Sequence, residues 1–279
     1  MVNVPAPTDL HQLPDLSTDY PLSPAQVRGF WEDGFIVLKT LLSANEVAAY
    51  ERVIHNTAMA VFRADDMKLS FSTTFLQRTN LRYDAPAVMK FCLSRRLASV
   101  ASQLLEVKNV RIYHDQALFK PPGGSDSYWH QDQYYWPLAT ERSVGSWMPL
   151  VDYSPDMGGM RYAHSSHRFG NLGQHDITKA SELFFNQFIQ QRGLDVFEVP
   201  ALQAGDCTFH AGWTVHGARA NQSTKLREAM VVTYYPDGTR VDELTNKYRI
   251  KDAKEYLSGR RPGQLADSDL NPIVYSQPA

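Results

Sequence analysis

The apolar positions follow a helical period in the first third of the chain and an alternating one afterwards. Ser23 and Pro24 supply an N-cap and a first helical residue, so a helix is predicted through Phe30 to about Asp33, with Gly34 as its stop. Residues 35–38, all apolar, read as a short strand. Ser43 and Glu46 have capping-box spacing, and Val47, Tyr50, Val53 and Ile54 share one face of the helix they start. Another helix is predicted over 86–107, where Val88, Phe91, Leu97, Val100 and Leu104 recur at helical intervals. From about 109 the pattern becomes β-like, over 110–113, 116–119, 144–151, 207–215 and 227–235. The last two read as arms of a hairpin joined across the polar residues 218–225. Residues 174–198, with Phe184, Phe185, Phe188 and Ile189, interrupt this pattern as an inserted helix near a pocket or at a homodimer contact.

Helices followed by many strands predict an α+β domain, mainly β with flanking helices, built on an antiparallel sandwich or barrel rather than a wound parallel sheet. Residues 1–21, rich in Pro and Asp, read as an extended arm, and 22–279 as one domain with its β core at about 108–240. No glycine-rich strand-to-helix turn and no P-loop occurs in the sequence, which argues against a dinucleotide or P-loop nucleotide site.

The 279 residues carry a formal net charge of -2 and 21% charged side chains, an ordinary globular balance without the basic excess of a nucleic-acid binder. Two cysteines are too few for a disulfide framework or a cysteine-based zinc site. No apolar run reaches the roughly 18 residues of a membrane span, and the N-terminus lacks the basic and apolar regions of a secretory signal. A cytoplasmic protein without membrane or nucleic-acid partners is expected. The 11% aromatic content suits a β-rich protein or one that encloses an organic ligand.

The chemistry concentrates in three stretches. In the run from Tyr128 to Pro137, an extended backbone would send His130 and Asp132 to the same face, where an imidazole and a carboxylate supply two adjacent metal ligands. Alone this spacing is weak. The second stretch, 205–218, holds His210 and His216; one further imidazole completes a 2-His-1-carboxylate set, which leaves positions open on an octahedral ferrous ion. His216, at the end of an apolar run before Gly217, is the first choice, with His210 as its rival. In the third, Arg227 shares a strand face with Ala229, Val231 and Thr233, so it needs an anionic partner inside or must reach solvent at the strand's start. Tyr134, Tyr135, Trp136, Trp129 and Trp213 either line an apolar substrate pocket or pack the sheet, and residues 60–82, including Phe75, form a lid or a surface segment.

Taken in order, His130-x-Asp132, His216 and then Arg227 resemble the phytanoyl-CoA dioxygenase family of Fe(II)/2-oxoglutarate oxygenases. The helix–strand–helix cadence of 22–50 and the Gly158-Gly159…Ser166-His167-Arg168 loop are similar to that family as well, although His164-Ser165 stands where Pro-Gly is usual. The resemblance implies a double-stranded β-helix (jelly roll) holding one iron through His130, Asp132 and His216. It also implies Arg227 on the far carboxylate of 2-oxoglutarate, with Trp147, Gln116 and Gln77 beside it. Ala218 replaces a serine frequent in the family, so one hydrogen bond to the cosubstrate would come from elsewhere, from Thr214 or Gln116. The implied reaction consumes dioxygen and 2-oxoglutarate, releases succinate and carbon dioxide, and oxidises a C–H bond of a small molecule. Aspartate at 132 argues for oxygenation over halogenation. A free acid or polycyclic natural product suits the charge balance better than a CoA thioester. The competing readings are a non-catalytic jelly-roll binding protein and a cupin-type metal isomerase or hydrolase.

Overall fold

In the computed structural model, described over residues 9–64, 75–173 and 175–277, both N-terminal start signals form caps. Gln26 N donates to Ser23 Oγ (3.2 Å) and Ser23 N to Gln26 Oε1 (2.9 Å), opening α1 (Pro24–Asp33). Gly34 closes it at φ +87, and a Cβ there would lie 2.4 Å from the His167 ring and 2.8 Å from Thr214 Oγ1. After β1 (Phe35–Leu38), Ser43 N donates to Glu46 Oε2 (2.8 Å) at the head of α2 (Ala44–Ala64). Then come β2 (Leu76–Thr79), α3 (Pro86–Cys92) and α4 (Arg95–Leu105). The single helix expected over 86–107 is therefore two. Ser94 takes the extended backbone of an N-cap (φ -63, ψ 135), and the break lets Phe91 and Leu97 both turn into the core.

β3 (Asn109–Lys120) is one uninterrupted strand where the pattern suggested two. His114 and Asp115 broke the apolar run, yet both are buried. Asp115 accepts from Arg82 Nη1 at 2.6 Å, with both side chains at most 1% exposed, and Arg82 Nη2 donates to the Leu270 carbonyl. This pair ties β3 to the C-terminal segment. Asp115→Asn leaves the guanidinium buried without its charge partner and is expected to cost about 3 kcal/mol in urea unfolding. A loss under about 1 kcal/mol would show that the pair is unimportant.

The remaining elements are β4 (Ser127–His130), β5 (Val144–Pro149), β6 (Met160–Ala163), α5 (Lys179–Arg192), β7 (Val196–Glu198), β8 (Cys207–Ala211), β9 (His216–Ala218), β10 (Arg227–Pro236), α6 (Lys247–Tyr256) and β11 (Ile273–Ser276). They form two antiparallel sheets of a jelly roll. The larger runs β1-β8-β5-β10-β3-β11, with β2 also on β3; the smaller runs β4-β9-β6-β7. The largest apolar core joins α1–α4 to the larger sheet, and a second, with Phe35, Trp147, Tyr162 and Ala229, lies between the sheets. Among the described residues no helix is long and apolar enough to cross a membrane.

The expected hairpin of 207–215 and 227–235 does not form. β8 and β10 flank opposite sides of β5, and the chain between them crosses to the smaller sheet as β9. Gly212 makes the exit, since a Cβ there would sit 2.3 Å from Ser143 Oγ. That crossing sets His216 against β4.

Candidate active site

His130 is the last residue of β4 and pairs directly with His216, the first of β9. Gln131 keeps an extended backbone (φ -119, ψ 123), so Asp132 returns to the side of His130 before a short 3-10 turn, Asp132–Tyr134, begins. Asp132 Oδ1 lies 3.5 Å from His130 Nε2, and its Oδ2 3.7 Å from His216 Nε2. The ligand atoms of the trio all fall within 4.8 Å of one another. His130 Nδ1 is 2.7 Å from the Tyr128 carbonyl and His216 Nδ1 2.9 Å from that of Thr214. A carbonyl only accepts, so each ring donates from Nδ1–H and turns a bare Nε2 inward, the tautomer a metal needs. Burial pushes the Asp132 carboxyl up, but His216, His130 and His210 outweigh it and hold the acid well below its usual range. Burial and the neighbouring imidazoles hold His216 well below its ordinary value, hence neutral. A carboxylate and two imidazoles that each present Nε2 are a donor set that fits a ferrous ion.

His210, the rival ligand, approaches from β8 with Nε2 3.2 Å from Asp132 Oδ2. It donates to the same carboxylate oxygen that His216 approaches, its ring centre 4.3 Å from that of His216, and packs against Gly145, where a Cβ would meet its ring at 3.1 Å. His210 is thereby a positioning residue for Asp132. His210→Ala is expected to weaken Fe(II) affinity by about 10–100-fold, less than His216→Ala, in a metal titration. Equal losses would mean that His210 binds the metal itself.

Arg227 opens β10 and is 2% exposed, which removes the solvent-reaching alternative. Its Nη1 donates to the Gly158 carbonyl, its guanidinium carbon lies 5.5 Å from the Trp147 ring centre, and its Nε is buried with no hydrogen-bond partner. Burial lowers its pKa to about 10, so it stays cationic at neutral pH. Trp147 Nε1 is likewise buried without a partner. A buried guanidinium with no carboxylate on it among the described residues fits an incoming dianion such as 2-oxoglutarate.

The trio, Arg227 and Trp147 face one cavity of about 510 Å³, together with Gln77, Gln116, Phe75, Tyr135 and Trp136. Tyr134 and Trp213 are not on its lining. The 3-10 turn after Asp132 swings the Tyr134 ring against Tyr135 and Tyr248, and Trp213 contributes its carbonyl to Gln131 Nε2. Thr214 Oγ1 donates to the Gly34 carbonyl (2.7 Å), which leaves Gln116 as the candidate to replace the missing serine. Of the 60–82 segment, Phe75, Gln77 and Thr79 line the cavity; Met67 and Phe71 fall outside the described residues. Arg161 is buried on Glu182 (2.8 Å) and over the Trp129 ring (3.9 Å), away from any substrate anion. The inserted helix α5 braces β4 there, since Trp129 N donates to Glu182 Oε2 and Trp129 Nε1 to Asn186 Oδ1.

Sequence reasoning missed one wall of the cavity. His114 and Thr79 line it from β3 and β2, and Tyr248, Asp252 and Tyr256 from α6. His114 was open to detection, because it continues the two-residue alternation of Gln116 and Leu118.

The sequence profile of the phytanoyl-CoA dioxygenase (PhyH) family matches residues 30–229. The chain belongs to the phytanoyl-CoA dioxygenase family. An ectoine dioxygenase of Bordetella parapertussis is 28% identical over 86% of this chain and 83% of its own. Among solved structures, a non-heme alpha-ketoglutarate-dependent carbocyclase from nogalamycin biosynthesis superposes with a TM-score of 0.73 at 20% identity, covering 96% of this chain and 99% of its own. A related epimerase, solved with Fe3+, alpha-ketoglutarate and nogalamycin RO, gives 0.72 at 20% identity, over 90% of this chain and 97% of its own. These two carry the jelly-roll fold. As a member of the phytanoyl-CoA dioxygenase family the chain is an Fe(II)/2-oxoglutarate-dependent dioxygenase using molecular oxygen, not a passive jelly roll or a metal isomerase.

Proposed function

We propose that His130, Asp132 and His216 hold the iron, that Arg227, Gln116, Gln77 and Trp147 receive 2-oxoglutarate, and that the enzyme oxidises an unactivated C–H bond of a small, largely apolar metabolite. The observation that carries this is the meeting of three ligand atoms within 4.8 Å on a cavity that also contains an unpaired buried arginine. When bound, iron with 2-oxoglutarate supplies the oxidising power, as dioxygen splits between the succinate formed and the substrate, with loss of carbon dioxide. The chain's own residues do the rest. Tyr128 and Thr214 carbonyls keep both imidazoles in the ligating tautomer, and His210 fixes the rotation of Asp132. Arg227 sets which end of the dianion points at the metal, because only one end can reach a guanidinium anchored on Gly158. Phe75, Tyr135 and Trp136 offer apolar surface that excludes water around the reacting carbon.

A polycyclic metabolite suits the aromatic walls and cavity size better than a CoA thioester does, because Arg227 is the only lysine or arginine among the described lining residues. The same fact counts against a free acid. Succinate release measured over CoA esters and neutral or basic polycyclic compounds tests this; coupling to CoA esters alone would overturn it.

A further inference from the structure

The ionisable groups of the cavity divide between two ends. At one end the charges balance once the cofactors are in place: a divalent iron with Asp132, and Arg227 with a 2-oxoglutarate dianion, sum to zero. Asp126, also on the lining, accepts from Ala220 N (3.2 Å) and lies in the field of Lys120 and Arg161. One acid is left over. Asp252 reaches the cavity from α6, accepts a single hydrogen bond from Tyr113 Oη (3.0 Å), and forms no ion pair among the described residues.

No charged group among the described residues pairs with it; the charge of Lys251 lowers its pKa and that of Glu255 raises it. Lys251 points outward, 62% exposed, toward Glu255. His114, on the same wall, packs edge-on against Tyr256 (5.2 Å between ring centres) and Trp136 (6.1 Å), and burial lowers it to about 4, so it is uncharged at neutral pH. Burial also raises Asp252 to about 7, a cost that a bound cation removes. Trp136, Tyr248 and Tyr256 line the same cavity, the two tyrosines four residues before and after Asp252 on α6. An acid without a counterion among aromatic rings is the environment that recognises a cationic nitrogen.

We propose that the substrate carries a protonated amine on an apolar, ring-bearing skeleton, held by Asp252 and the aromatic faces of α6 and Trp136 while its reacting carbon extends toward the iron. This rests on the dioxygenase site proposed above and assigns its substrate class. Anchored at the nitrogen, the molecule presents a distant C–H bond to the metal, so Asp252 determines specificity and takes no part in the oxidation.

Three probes of like size test the assignment: phenethylamine, N-acetylphenethylamine and 3-phenylpropionate, cationic, neutral and anionic. Each is titrated calorimetrically into the anaerobic Fe(II)·2-oxoglutarate enzyme. The amine is expected to bind at least about tenfold more tightly than the other two. Asp252→Asn removes that preference and Asp252→Glu retains part of it. Equal affinities, tighter binding of the acid, no heat with any probe at millimolar concentration, or a preference that survives in Asp252→Asn would overturn the proposal. Succinate formed by the wild-type enzyme without any probe tests the underlying dioxygenase site separately. Its absence would sink that site, whereas its presence with no preference among probes would sink only the amine.

Discussion

Replacing Asp132 by alanine is expected to lower kcat/KM for 2-oxoglutarate turnover by at least about 10^3-fold, about 4 kcal/mol of transition-state stabilisation. The loss is large because this carboxylate has two connected tasks. It is the one anionic donor of the trio, and it is the group on which three imidazoles converge, with Nε2 of His130, His210 and His216 at 3.5, 3.2 and 3.7 Å. Asp132→Asn separates the two tasks. It keeps an oxygen for the His210 hydrogen bond but loses the charge, and is expected to fall nearly as far as alanine. Metal content measured alongside turnover decides the cause: both variants are expected to retain less iron than wild type. An Asp132→Asn enzyme with full iron and near-normal turnover would remove Asp132 from the metal.

Arg227→Lys is expected to raise KM for 2-oxoglutarate about 10–100-fold and to change kcat much less. The contact is to the end of the cosubstrate remote from the chemistry, so its loss weakens ground state and transition state alike. Lysine keeps the charge but lacks the planar fork, and cannot both hold the Gly158 carbonyl and pair a carboxylate from two nitrogens. Arg227→Met separates function from stability. The guanidinium is buried with its Nε unpartnered, so an apolar side chain of similar volume is expected to leave thermal stability unchanged or higher while KM rises further. A marked fall in stability with KM unchanged would make Arg227 a structural residue.

How much was legible in the sequence follows from where the determining interactions lie. The caps at Ser23 and Ser43 use partners three residues away, so α1, β1 and α2 could be read directly. His130 and Asp132 were legible for the same reason, because one extended residue relates them. The choice of His216 over His210 rested on its place at the end of an apolar run before Gly217 and on family resemblance, since both lie on β segments. What distinguishes them is the crossing of β9 to the other sheet, which pairs His216 with His130 through a strand of three residues that a hairpin reading concealed. His114 and Asp115 obscured the continuity of β3 because the partner that allows Asp115 to be buried, Arg82, is distant in sequence. The far wall of the cavity was not legible. α6 is polar along most of its length, and only its tertiary packing brings Asp252 and Tyr256 to the cavity.

The account depends most on the identity of the metal ligands and the orientation of the cosubstrate. A crystal grown anaerobically with Fe(II) and 2-oxoglutarate, measured at the iron absorption edge, tests both at once. The expected map has one anomalous peak bonded to His130 Nε2, an Asp132 oxygen and His216 Nε2, with the free carboxylate of 2-oxoglutarate on Arg227. A peak bonded to His210 in place of His216, or a cosubstrate carboxylate away from Arg227, would contradict it.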